Sequence, residues 1–162
     1  MQNFDEINKL ASRIKAIMLT LPSKIGTECV NFFKGSFRNQ GWTDATFTPW
    51  AVRSPKAKRN KGRGILIDSG RLRNSIRISG MSSNSVTIGT DIPYSEMHND
   101  GFDGTVNVKA HTRNIRSLQK IANVKEHTKH LRMPKRKFMG VSVTLNKNIK
   151  ELIKINLIKL FN

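Results

Sequence analysis

Cysteine is nearly absent: Cys29 stands alone, so neither an intrachain disulfide nor a cysteine metal cluster can form. Beside the apolar Val30 it reads as a small buried hydrophobe rather than a reactive thiol. Acidic residues are also scarce, 11 Asp and Glu in the whole chain, and no apolar run approaches the roughly 18 residues that a membrane span needs. The opening residues MQNFDEINKL are acidic and polar where a signal peptide is basic and then apolar. They predict a chain that is soluble and intracellular when made, with no membrane partner. Hydrophobic residues make up only 37%, which predicts a small core. With 162 residues the chain is read as one domain, 1–162. Its arms or loops need a partner to order them, and other copies of the chain would supply one.

What the chain has in excess is positive charge. Twenty-nine Lys and Arg set the formal charge at +18. Residues 101–162 hold 14 basic and 3 acidic side chains, so this shorter part carries +11 of the total. Net charge governs association rather than fold, so a polyanion or an acidic neighbour is expected close by. Nucleic acid and a charged assembly channel both fit. The segment RSPKAKRNKGRG at 53–64 holds six basic residues and no acid, and reads as a mobile loop.

Apolar residues at Phe4, Ile7, Leu10, Ile14, Ile17, Met18 and Leu21 have helical spacing, with Asp5 and Glu6 suited to the helix start. Pro22 interrupts or restarts that stripe, which Ile25, Cys29, Phe32, Phe33 and Phe37 continue to about Asn39. A kinked helix or a helix pair is therefore expected over 1–39. From Gly41 to Trp50 there is no helical period, so an extended connector should pin both tryptophans to the body.

In the stretch Leu66 to Ile76, Asp68 or Ser69 is expected to cap a short helix, with Leu72 and Ile76 pointing inward. Alternation through Ile76, Ile78, Val86 and Ile88 predicts two short antiparallel strands. Tyr94 to Asn99 reads as a single helical turn after Pro93, closed by Gly101. The string VKAHTR at 108–113 is echoed sixteen residues later by VKEHTK at 124–129. Both alternate, so a projecting two-stranded ribbon is expected over 104–131. Ser142 should cap a final helix over 142–161, in which Leu145, Ile149, Leu152, Ile153, Asn156 and Leu160 repeat at threes and fours. Ile155, Leu157, Ile158 and Phe161 are apolar residues to spare. The fold class is α+β: a small antiparallel β-sheet with a projecting ribbon, packed by an N-terminal helix or helix pair and a C-terminal helix.

His98, His111, His127 and His130 do not form a recognised ligand spacing; His127 and His130 fall on opposite faces of a strand. His98 is expected to pack beside Tyr94, four residues back on the same helical face. Asp91, Glu96, Asp100 and Asp103 lie close enough in sequence to raise a divalent-metal nuclease as an alternative. No second acidic cluster or paired base accompanies them, and solvated turn residues are the simpler reading. No metal and no cofactor is assigned. Phe138 is expected to bury, with Pro134 fixing its approach and Arg136 pairing with Asp68 or Glu96.

Three segments stand in order: ILIDSGRLRNSI at 65–76, VTIGTDIPYSEMHNDG at 86–101 and MPKRKFMGVS at 133–142. Each alone is weak, but the ordered set resembles the phage virion morphogenesis family of tail-completion or head-tail joining proteins. That family's pattern runs from TG-x-L-x-x-S-I through IGT-x-x-x-YA-x-x-H-x-x-G to P-x-R-x-F-L-G, and the resemblance covers roughly residues 40–161. Matching positions are Ser69, Gly70, Leu72, Ser75, Ile76, Gly89, Tyr94, His98, Gly101, Pro134, Arg136, Phe138 and Gly140. Ser69 departs from the usual Thr, Ser95 from Ala and Met139 from Leu.

The resemblance implies a noncatalytic structural protein of the virion tail or neck, assembled in the host cytoplasm. It would act as a homo-oligomeric ring, six subunits being a candidate number, that joins the tail to the DNA-filled head. Other neck, connector and tail proteins would be its partners, and phage DNA would pass through it. In such a channel the DNA-facing candidates are Arg53, Lys56, Lys58, Arg59, Lys61 and Arg63 in the loop. Lys109, Arg113, Arg116, Lys120, Lys125 and Lys129 are their counterparts on the ribbon. A sequence-independent nucleic-acid-binding protein is the other reading; the charge suffices for it, but it leaves the three ordered segments unexplained.

Overall fold

A computed structural model describes residues 2–54, 62–115 and 119–160 of the chain. Helix α1 runs unbroken over Gln2–Asn39 with Pro22 inside it. Proline costs a helix interior about 3 kcal/mol through its missing N–H and its clash with the preceding turn. Here the same apolar stripe continues on both sides of Pro22, and the helix-pair alternative is not what forms. The stripe is used unequally. Leu21, Cys29, Phe33 and Phe37 are buried, whereas Phe4, Ile7, Leu10, Ile14 and Met18 lie exposed.

After α1 come β1 (Gly41–Thr43) and β2 (Phe47–Pro49), a tight antiparallel hairpin. This short pairing lies within the expected connector, and both Trp42 and Trp50 are buried as anticipated. Trp42 stacks on Phe33 at 6.2 Å between centroids, and Trp50 meets Phe37 edge-on at 5.4 Å. Such pairs add about 0.5–1.5 kcal/mol each beyond burial.

Helix α2 spans Arg71–Ser75. Neither Asp68 nor Ser69 takes the N-cap place, although Ser69 Oγ accepts from the first helical amide, Arg71 N, at 3.4 Å. Gly70 is the residue at the N-cap, at φ 78°, a left-handed conformation that glycine adopts without penalty. Strands β3 (Arg77–Met81) and β4 (Val86–Gly89) pair antiparallel with an irregularity between Ile78 and Gly80. They pack under α1 where Gly26 faces them; a Cβ at Gly26 would stand 2.6 Å from Ile78 Cδ1. The expected helical turn forms as α3, Ser95–Asn99.

The ribbon is longer than expected. Strands β5 (Phe102–Val108) and β8 (His127–Met133) pair antiparallel, as do β6 (His111–Ile115) and β7 (Lys120–Val124) beyond them. The sequence echo marks the joint between these two parts. Val108 stands opposite His127 and His111 opposite Val124. On each side the histidine Nδ1 lies 2.9 Å from the carbonyl oxygen of the lysine two residues back, Lys109 or Lys125. The ribbon packs chiefly on itself.

Helix α4 covers Val143–Ile158, capped as expected by Ser142, whose Oγ accepts from Leu145 N at 3.2 Å. It lies against α1, to which Glu28 and Asn148 tie it by a 3.0 Å bond. Arg13 Nη2 donates to Lys159 O at 2.8 Å, which places a cation at the carboxyl end of α4. The core joins α1, the hairpin, α2 and the 133–142 segment through Phe37, Trp50, Leu72, Ile76, Phe138 and Leu145.

Candidate functional site

The three ordered segments, far apart in sequence, meet around one cavity of about 260 Å³. Its wall takes Ile65 to Leu72 from the first segment, Tyr94 and His98 from the second, Arg136 from the third, and Arg53 from the edge of the basic loop. Of the matching positions, Ser69, Gly70, Leu72, Tyr94, His98 and Arg136 therefore share one surface. Ile76 and Phe138 lie behind it in the core, at 0% and 1% exposure. Ser75 bonds Leu72 O at 2.8 Å and Thr90 Oγ1 at 2.6 Å, joining the first segment to the second. Gly89 ends β4, and Pro134 and Gly140 are exposed.

Asn99, which the sequence reading passed over, locks the second segment to the third: its Oδ1 accepts from Phe138 N and Met139 N, both at 3.0 Å. A further backbone bond runs from Arg136 N to His98 O at 2.8 Å. Gly101, at φ 81°, lets the chain leave α3 close to Lys135; a Cβ there would sit 3.0 Å from Lys135 N. The only sequence signal for Asn99 was its place in the last turn before a glycine, and that signal reads equally as an ordinary helix end.

Arg136 is 9% exposed. The expected ion pair with Asp68 or Glu96 does not form: Arg136 Nε donates to Ala51 O at 3.1 Å instead, because the close approach of the third segment to Trp50 and Ala51 aims the side chain at that carbonyl. Trp50 Nε1 in turn donates to Lys137 O at 2.7 Å. Asp68 is taken by Arg63, at 3.2 Å. Burial, and secondarily the charge of Arg53, lowers the Arg136 pKa from its ordinary value. His98 packs edge-on to Tyr94 at 5.8 Å, as expected. Its Nδ1 is buried without a hydrogen-bond partner, and burial followed by the nearby Arg136 charge pushes its pKa down.

The DNA-facing candidates divide. Lys56, Lys58, Arg59, Lys61 and Arg116 lie outside the described residues. Arg53 donates to Arg63 O at 2.6 Å and also to Gly64 O, so it fastens the two ends of the basic loop to each other. Lys109, Arg113, Lys120, Lys125 and Lys129 are all exposed on the ribbon. Arg113 and Lys120 share a face of its outer part, since Arg113 faces Ala122 and Lys120 faces Ile115.

The four acids between 91 and 103 are not gathered into a site. Asp91 pairs with Arg77 at 3.2 Å, and its backbone hydrogen bonding first, then Arg77, lowers its pKa. Asp103 meets His130 at 3.2 Å and Arg132 at 3.5 Å across the ribbon. Among the described residues no group of three or more His, Cys, Asp and Glu is placed to hold a metal ion, and no helix is long and apolar enough to cross a membrane.

Comparison with known proteins gives no match among curated proteins or solved structures. A family model does match, over residues 3–157. It takes in α1, which lay outside the 40–161 stretch of the motif resemblance, as well as the three segments around the cavity. This chain belongs to the phage virion morphogenesis family.

Proposed function

We propose that this protein completes the tail or neck of a phage particle and joins it to the DNA-filled head, acting as a homo-oligomeric ring. The observation that carries this reading is the bare face of α1. Phe4 is 75%, Ile7 61% and Met18 51% exposed, on the same stripe that Leu21 and Cys29 bury farther along. A contiguous apolar face of this kind is characteristic of a surface that another chain covers. A second copy is the occupant that fits. The α1 face begins at the acidic pair Asp5 and Glu6. On α4, exposed Ile155 and Ile158 lie three apart, next to Lys154 and Lys159. An acid-tipped apolar helix matches a basic apolar patch elsewhere on the same molecule, and such head-to-tail contacts close into rings. The exposed ribbon cations would then meet DNA phosphates without reading bases. No catalytic step belongs to this reading.

Mass photometry tests the ring: a discrete oligomer is expected, and a chain that stays monomeric both alone and in assembled particles would overturn it. Imaging of particles made without this chain tests the joining step. Filled heads beside separate, complete-looking tails are expected; absent tails or empty heads would place the protein at another step. The exposed ribbon cations also favour a second reading, sequence-independent nucleic-acid binding. Tight binding of free duplex by a monomer, with a steep salt dependence, would favour that reading instead.

A further inference from the structure

Two cations beside the cavity where the three segments meet, Arg71 and Arg136, are in no ion pair among the described residues. Asp68 is the one acid among the described residues of its wall, and it pairs with Arg63 at 3.2 Å. Arg136 is nine-tenths buried yet is in no ion pair among the described residues. A buried guanidinium held only by a neutral carbonyl is an unfavourable arrangement that an incoming anion would relieve. Ile65, Leu66, Ile67 and Leu72 make one part of the wall aliphatic, and Ser69, Tyr94 and His98 make another part polar and aromatic. Leu66 sits at φ 58°, a strained conformation for a bulky side chain and one that recurs at binding sites.

We propose that this cavity receives a carboxylate from another polypeptide, an Asp or Glu side chain or a chain terminus. Arg136 and Arg71 grip its oxygens and the aliphatic wall covers its stem. A planar guanidinium matches a carboxylate bidentately. A carboxylate on a short aliphatic stem can enter a recess of this size, whereas a phosphate of duplex DNA is borne on a wide rod and is met by projecting cations such as those of the ribbon. The Nδ1 of His98, buried and unpartnered, stands in the same wall and reports on the occupant. The site goes beyond ring assembly, and small probes on the isolated chain test it without any oligomer being required.

The experiment is an NMR titration of the full-length chain, following the His98 ring and the Arg136 Nε–H. The probes are N-acetylglutamate N-methylamide, N-acetylleucine, inorganic phosphate, a short DNA duplex and sodium chloride at matched ionic strength. The carboxylate probes are expected to shift both signals saturably and to raise the His98 pKa. Whichever of the two saturates at the lower concentration tells a side chain from a terminus. Arg71→Gln, on an exposed side chain, should weaken the carboxylates about tenfold, while Arg136→Gln should abolish the shift if it folds. No shift beyond that of chloride, an effect unchanged in Arg71→Gln, or tighter saturation by phosphate or duplex would overturn the proposal.

Discussion

One side-chain oxygen, Asn99 Oδ1, accepts from Phe138 N and from the amide after it, both at 3.0 Å. It thereby satisfies two amides of a segment that has no strand partner, and it holds Phe138 in the core. Asn99→Ala should lower stability by about 1–3 kcal/mol, the cost of leaving buried donors unmet. Asn99→Asp keeps an acceptor at that place and should recover most of the loss. Urea denaturation of the three proteins checks the ordering.

Stability should fall on mild acidification through His98. Its folded pKa is depressed, by burial and then by Arg136, so the unfolded chain takes up the proton first. The contribution is fully present above the ordinary histidine value of about 6.5 and is lost as pH falls below it. Denaturation midpoints at neutral pH and below that value, compared with those of His98→Gln, measure it. The variant should show a flatter profile through this window.

Cys29 is buried and its pKa is raised, by burial first and by Glu28 second. A thiolate-specific reagent should therefore label the native chain slowly and the denatured chain quickly. Fast labelling under native conditions would show that the second half of α1, which carries Cys29, opens away from the body.

The bare stripe of α1 should be dispensable for folding and required for assembly. Ile7→Glu and Ile14→Glu lie on exposed positions, so thermal unfolding should change by less than about 0.5 kcal/mol. The same variants should abolish the oligomer seen by mass photometry.

Neutralising Lys109, Arg113, Lys120, Lys125 and Lys129 to Gln should weaken duplex binding alike for all sequences. The salt slope should fall by about one for each phosphate contact removed. Changing Lys58, Arg59, Lys61 and Arg63 to Ala asks the same of the loop. Unchanged binding would show that the loop is not the grip.

Much of this architecture was legible before folding. The three- and four-residue spacing that marks α1 and α4 is written directly in the chain, because a helix repeats its faces every 3.6 residues. The alternation at Ile76, Ile78, Val86 and Ile88 likewise foretold β3 and β4. Local pattern failed where two nearby residues compete for one role. Asp68 and Ser69 are both good caps, yet the chain turns at Gly70, which takes the N-cap place and leaves Ser69 a long bond to Arg71 N.

The partner of Arg136 was not legible for a different reason. Asp68 and Glu96 were plausible by charge, and charge attracts from any direction, whereas a bond needs placement. The approach of the third segment to Trp50 and Ala51 supplied a carbonyl instead.

Period, charge and motif order, all properties of neighbours along the chain, are enough to specify the elements, the cationic excess and the family. Convergence belongs to the fold alone. Arg53, Arg71, His98 and Arg136 meet around one cavity because α3 and the 133–140 segment are clamped through Asn99, and contacts between residues so distant follow from packing that no local pattern encodes. The same packing decides which half of an evenly amphipathic α1 is buried, since the body ends near Leu21 and the stripe does not.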